Sequence, residues 1–351
     1  MSAEHHLNQE YDAIIIGSGF GGSMVAHALV NAGWNVLMLE RGNWVERGLH
    51  NWAPNATVDL TEHHTSETPY RVIEGGYKKS MGIYASVGGP SVFYGGVSSR
   101  FREEDFHLSP EITTDSQAEW PYQYADLESY YTQAERILNV AGDAESDPTE
   151  PFRSAPYPQS PNGLSAISQR IGEAASTLGL NPFRLPLAIN YSDNGHRSAC
   201  VACTTCDTFA CAVEAKNDLA TTVLPDLIKR GLKLLPNTVV TRIHTENSRV
   251  SSVECCLRNS HESKRFRARI VILSAGALAS PHLLLASRLD RFNPGGRNIG
   301  RFLMRHVNAI VFGIFPGRAD KENTFHKQLG IHDYYFGHPS VENPQGKLGS
   351  M

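Results

Sequence analysis

No stretch of this sequence stays apolar for the roughly 18 residues that a membrane span requires, and a long candidate run, 268–277, is broken by charge and glycine. No membrane span is expected. The first ten residues have neither the basic nor the apolar region of a secretory signal, so the expected setting is cytoplasmic and reducing. Positive charge is not in excess either. Against 32 Lys and Arg stand 36 Asp and Glu, a formal net charge of −4, with no long basic cluster. Nucleic acid and anionic membrane surfaces are therefore not expected as partners. Internal repeats and low-complexity tracts are absent too. What remains is the composition of a soluble globular protein, 41% apolar and 19% charged, long enough at 351 residues for a large core and about two domains.

Residues 11–42 carry the strongest signal. An apolar run leads into Gly17-Ser18-Gly19-Phe20-Gly21-Gly22, an alanine-containing amphipathic stretch follows, and a second apolar run ends on Glu40-Arg41. This is the order strand, glycine turn, helix, strand, acid of a dinucleotide-binding βαβ unit. Gly17 permits the tight turn, Gly19 lets backbone approach a pyrophosphate, and Gly22 lets the helix pack closely on the strand. The helix N-terminus offers N–H groups and partial positive charge to phosphates. Glu40, 18 residues beyond Gly22, stands where an acid accepts hydrogen bonds from a ribose.

Beyond this unit, 43–70 is polar and without clear period, and an irregular excursion is expected there. Residues 86–96 hold four glycines, too many for a strand interior or a stable helix. Such backbone either comes close to a flat or phosphorylated group or forms a tortuous surface loop. Asp126 is placed to cap a helix with Leu127, Tyr130, Tyr131, Ala134 and Leu138 on its core-facing side. A proline-rich connection at 148–161 precedes a second helix, with Leu164, Ile167, Ile171, Ala174, Ala175 and Leu178 on the buried side. Residues 232–257 read as short strands with turns, in which Cys255 and Cys256 point to opposite faces. A further strand at 269–273 ends on Ser274-Ala275-Gly276.

Taken in order, these segments resemble the glucose-methanol-choline (GMC) oxidoreductases, flavoproteins that oxidise alcohols. Residues 87–96 look like the family's first signature loop, which lies against the flavin ring and pyrophosphate. The loop departs from the pattern at Pro90, usually Ser, and Tyr94, usually Asn. The Tyr94 change puts a direct side-chain contact in question, while Gly95 and Gly96 keep the backbone geometry. Trp120-Pro121-Tyr122 and the helix after it look like a segment of the bacterial members. Val240-Thr241-Arg242-Ile243 is similar to the strand whose valine backbone meets adenine. Residues 276–287 resemble the second signature, with Arg288 for its terminal Gly, and 299–306 resemble the GRNLMDH segment, with Arg305 for Asp.

The resemblance implies an α/β fold with a Rossmann-like FAD/NAD(P)-binding domain over 8–305, built from discontinuous segments at about 8–43, 71–105 and 215–305. A helical and irregular insertion at 106–214 and the start of an antiparallel substrate domain at 306–351 complete the expected organisation. It also implies an FAD site made by Gly17, Gly19, Phe20, Gly21, Gly22, Glu40, Arg41, Gly89, Tyr94, Gly95, Val97, Val240, Ala275 and Gly276. The implied reaction is hydride transfer from the CH–OH group of a small-molecule alcohol or sugar to flavin N5, with a histidine taking the hydroxyl proton. An electron acceptor, which can be oxygen, a quinone or a carrier protein, completes the cycle.

In the family that histidine lies far C-terminal to the segment that 299–306 resembles, and this chain continues for 45 residues past His306. His326, His332 and His338 fall in or near a stretch that resembles the start of the substrate domain. No catalytic residue is therefore expected here. The chain reads as truncated before its active site, with little alcohol oxidation expected from it alone. Two alternatives stand beside this reading. One is an NAD-dependent oxidoreductase, because Glu40 alone does not separate NAD from FAD. The other is a noncatalytic flavin or iron–sulfur electron-transfer module.

The second alternative turns on Cys200, Cys203, Cys206 and Cys211, four of the chain's six cysteines, spaced C-x2-C-x2-C-x4-C. Four thiolates can hold zinc or an iron–sulfur cluster. They can also pair as disulfides, which a reducing setting disfavours, or stay as structural thiols. A bacterial branch of the GMC family carries a similar stretch that runs on, as here, into Ala215-Lys216. At the level of sequence all three readings stay open.

Overall fold

The computed structural model describes residues 10–107, 114, 119–144, 146–193, 195, 197–258, 260, 262–306, 308–311, 313–314, 317, 327–340, 347 and 349, with side chains at 65–69 and 74 excepted. His326 lies outside the described residues. The elements in chain order are β1 (Glu10–Ile16), α1 (Phe20–Asn31), β2 (Val36–Leu39), β3 (His64–Glu74), β4 (Tyr77–Tyr84), α2 (Tyr124–Ile137), α3 (Ala166–Thr177), β5 (Pro182–Arg184), α4 (Val223–Lys229), β6 (Lys233–Leu235), β7 (Thr238–Glu246), β8 (Arg249–Leu257), β9 (Ser263–Leu273), α5 (Gly276–Ala286) and β10 (Leu329–Ile331). No helix among the described residues is long and apolar enough to cross a membrane.

The chain divides into two compact units. The first comprises Met1–Phe93, Thr208–Ala212 and Asp218–Phe312; the second comprises Tyr94–Asp207, Val213–Asn217 and Gly313–Met351. Residues 94–105 and 215–217, which the sequence groups with the nucleotide fold, thus belong to the second unit.

In the first unit a six-stranded sheet runs in the order β6-β2-β1-β9-β8-β7. Strands β6, β2, β1 and β9 are parallel, and β8 runs antiparallel to both β9 and β7. The central strands are apolar without alternation because both faces are covered: Ala13, Ile14 and Ile15 in β1 and Val36, Leu37 and Met38 in β2 are fully buried. This is the expected α/β, Rossmann-like arrangement. Tyr11, Leu37, Ile243, Phe266 and Leu283 share one core cluster beneath it. Pairing of Ile16 with Leu39 on one side and Leu273 on the other brings the C-terminal ends of β2, β1 and β9 level. Gly17, Glu40 and Ser274 therefore leave the sheet side by side, at the edge where open α/β sheets hold ligands.

The excursion after β2 is less irregular than its composition suggests, because β3 and β4 form an antiparallel hairpin. Its turn is Gly75-Gly76, both at positive φ (+55° and +84°). A two-residue Gly-Gly loop between strand-forming runs is a hairpin signal in its own right.

In the second unit both helices form, but with rotated faces. Helix α2 begins two residues before Asp126, whose carboxylate accepts from the Gln123 N–H at 2.9 Å. Its buried side carries Tyr124, Glu128, Thr132 and Glu135, and Tyr130, expected inside, is 65% exposed. The cause is Arg100. Its guanidinium, fully buried, donates to both oxygens of Glu135 at 2.8 Å, to Tyr124 at 2.9 Å, to Glu128 at 3.0 Å and to Thr132 at 2.9 Å. A buried cation draws polar partners inward and turns the apolar stripe aside. Helix α3, capped by Ser165, buries Ser168 and Ala175 and leaves Ile171 and Leu178 exposed. In the same unit β10 pairs antiparallel with β5.

Candidate cofactor site

Between β1 and α1 the backbone turns where side chains have no room. Gly17 sits at φ +100°, and a Cβ there would lie 2.5 Å from the Ser274 carbonyl oxygen; on Gly22 it would lie 2.0 Å from the Gly17 carbonyl oxygen. Both positions therefore demand glycine. Helix α1 starts behind Gly19 with no side-chain cap and no acidic residue in its first turn. Its first-turn N–H groups are thus left open to an anion by the helix's own side chains.

Glu40 emerges next to this turn and is almost fully buried. One carboxylate oxygen accepts from the Ser18 N–H at 3.0 Å and the Ser18 hydroxyl at 2.7 Å, the other from the Gly42 N–H at 2.8 Å. Burial pushes the Glu40 carboxyl above its ordinary range, and the donors from Gly42 and Ser18 oppose that rise. A carboxylate oxygen can accept more than one donor, which leaves capacity for a hydroxyl. Ser18 also receives the Gly88 N–H on its hydroxyl at 2.9 Å, while its carbonyl accepts from the Ser23 hydroxyl at 2.8 Å. One serine thus joins the turn, the acid, helix α1 and the 86–92 loop. That loop comes close: a Cβ on Gly89 would lie 3.0 Å from the Gly19 Cα.

These parts enclose a pocket of about 570 Å³. Of the residues expected from sequence, Gly17, Gly19, Phe20, Gly21, Glu40, Arg41, Gly89, Val240, Ala275 and Gly276 line it. Gly22 lies behind, packed on β1. Ser18, Tyr70, Thr238, Ser274 and His282 also line the pocket and were not anticipated. Ser274 was visible as the end of a strand, but the roles of Ser18 and Tyr70 depend on partners distant in sequence.

Tyr94, Gly95 and Val97 belong to the second unit. The Tyr94 hydroxyl donates to the Asn217 carbonyl at 3.0 Å, and the buried Lys216 ammonium donates to the carbonyls of Tyr94 at 2.8 Å and Cys206 at 2.9 Å. Gly95 has the Asp207 carboxyl group beside it, and Val97 is 39% exposed.

No disulfide joins any of the six cysteines. Among the described residues no group of three or more His, Cys, Asp or Glu side chains gathers as a metal ligand set would. Cys203 receives the Thr205 hydroxyl on its sulfur, and the Cys200 sulfur accepts from the Ala202 N–H. Cys255 is buried in β8 with its thiol pushed up to about 12 by burial, which keeps it unreactive; Cys256 on the opposite face is half-buried.

Fold and pocket together define an α/β protein of the Rossmann type, with the glycine turn, the start of α1 and Glu40 at one cavity. Comparison with known proteins narrows this. The family model described as GMC oxidoreductase matches residues 9–308, and the chain belongs to that family. It is 33% identical over 314 residues to a 6'''-hydroxyparomomycin C oxidase of Streptomyces lividus, covering 86% of this chain and 56% of that protein. It is 27% identical over 324 residues to the fructose dehydrogenase large subunit of Gluconobacter japonicus, covering 84% and 58%. An FAD-dependent oxidoreductase from Chaetomium thermophilum shares the fold, with a TM-score of 0.55 over 79% of this chain and 47% of that one at 18% identity. The chain spans a little over half the length of both of these curated relatives.

Proposed function

We propose that this chain is the FAD-holding part of an oxidoreductase acting on the CH–OH group of a small-molecule alcohol or sugar. The observation that carries the reading is the pocket at the ends of β1, β2 and β9, where Glu40 and the uncapped start of α1 stand together. The residues present fit the cofactor. Gly17 and Gly22 keep the turn free of side chains, the α1 N-terminus suits a pyrophosphate, and Glu40 suits ribose hydroxyls. Val240 would meet the adenine, with Gly89, Ala275 and Gly276 offering backbone at close approach. When bound, the flavin supplies the acceptor for a hydride leaving a carbinol carbon.

Tyr94, Gly95 and Val97 are proposed to face the flavin on the strength of the family resemblance, Tyr94 through its backbone because its hydroxyl is engaged by Asn217. Relatives named for hydroxyparomomycin and fructose favour a sugar-like alcohol as substrate. The base that takes the hydroxyl proton is assigned to no residue of this chain, and His306 is proposed to be structural. A zinc or iron–sulfur site at Cys200, Cys203, Cys206 and Cys211 would need these thiols to regroup.

The test is an absorption spectrum of the purified chain, with the released cofactor identified by mass and iron and zinc assayed on the same sample. A flavin spectrum with FAD released is expected. Thermal stabilisation by NAD but not by FAD would overturn the reading in favour of a nicotinamide enzyme. Stoichiometric iron or zinc would make the cysteines ligands.

A further inference from the structure

Three residues outside the glycine fingerprint meet at the pocket wall. Arg41, directly after Glu40, donates from its guanidinium to the Tyr70 hydroxyl at 3.2 Å. The Tyr70 ring, on β3, meets the His282 ring of α5 edge to face, with centroids 5.2 Å apart and planes at 71°. All three line the pocket, as do Thr238, Val239 and Val240 of β7. Helix α5 lies on β7, where the Ser287 hydroxyl accepts from the Ile243 N–H at 2.9 Å. Strand β7 in turn starts beside Glu40, whose carbonyl accepts from the Thr238 N–H at 2.8 Å.

We infer that Tyr70 and His282, braced by Arg41, form the seat that recognises the adenine base of the nucleotide; this rests on the proposed dinucleotide site. A nucleotide with its phosphates at the start of α1 and its ribose on Glu40 has its base on the remaining side, that of Arg41, Val240 and His282. Two rings at 71° make a corner, not a stack. A purine entering it meets one ring face on and presents its edge to the other, the arrangement that aromatic quadrupoles favour. Arg41 holds the tyrosine in that pose from outside the base. Hairpin β3–β4 thereby becomes part of the binding site: it carries Tyr70, and His64, Gly82, Ile83 and Tyr84 line the same cavity.

The experiment is calorimetric titration of the 351-residue chain with ADP and, separately, UDP, for the wild type and for Tyr70→Leu, His282→Leu and Tyr70→Phe. The wild type is expected to prefer ADP. Each leucine variant should lose about tenfold in ADP affinity, the size of a lost ring contact to a base, with UDP little changed. Tyr70→Phe, which keeps the ring and loses the Arg41 brace, should lose less ADP affinity than Tyr70→Leu. ADP affinities within twofold of wild type in both leucine variants would overturn the base seat and leave the dinucleotide reading standing. Parallel loss of ADP and UDP would overturn it as well, since the effect would then not concern the base. A wild-type chain that binds neither ADP nor FAD would remove both.

Discussion

Ser18 is small, fully buried and hydrogen-bonded in four directions, and its substitution should be felt at a distance. Ser18→Ala removes the hydroxyl from Glu40 and strands the Gly88 N–H. A loss of about 1–3 kcal/mol is expected, read from urea unfolding, together with weaker FAD binding in a fluorescence titration. Gly17→Ala faces both a strained φ and a carbonyl at 2.5 Å; it should cost more than about 2 kcal/mol and abolish nucleotide-induced thermal stabilisation. Gly17, Gly22 and Glu40 were legible because their spacing lies within one βαβ unit. Ser18 was not, because its meaning comes from Gly88, 70 residues on. Tyr70 was hidden similarly, since it gains a role only by meeting Arg41 and His282.

At the scale of the element, α2 shows what periodicity omits. Helical spacing correctly marked a helix near 126–138, but the side turned inward was chosen by Arg100, which lies outside the window that any helical pattern inspects. Arg100→Met should leave Glu128 as a buried charge without its cation and Glu135 with Arg153 alone, and cost about 3 kcal/mol, measurable by thermal melting. The same cluster sets an acid limit. The Ser154 N–H, with Arg100, the Ser154 hydroxyl and Thr132, holds the Glu128 carboxyl down to about 2, below its ordinary value of 4.5. A depressed carboxyl contributes stability that is fully present above the unfolded value and is lost as pH falls through the folded one. The second unit should therefore weaken between about pH 4.5 and 2. Glu128→Gln should flatten that limb of a pH-dependent unfolding curve. The β3–β4 hairpin could have been read from Gly75-Gly76, but the polar run before it masked the strands.

For the whole molecule, the α/β class and the βαβ unit of β1, α1 and β2 were legible, because two apolar runs flank a glycine turn and a helical stretch. The partition into two units was less so, since the chain leaves and re-enters each unit and no composition change marks 93/94 or 217/218. The surface after α5 is unusually apolar, with Phe302, Met304, Ile310 and Val311 between 72% and 92% exposed. Exposed apolar groups in such number favour association. Met304→Gln combined with Val311→Ser should lower light scattering at high concentration and leave urea stability within about 0.5 kcal/mol.

The bond from the Gly88 amide into the hydroxyl of Ser18 carries a consequence for exchange with heavy water. A glycine-rich loop ordinarily surrenders its amide hydrogens to deuterium within moments, since its backbone opens without disturbing anything else. Here that hydrogen cannot leave unless the first turn of the nucleotide fold lets go of it, so Gly88 should exchange on the timescale of β1 and not on that of a surface loop.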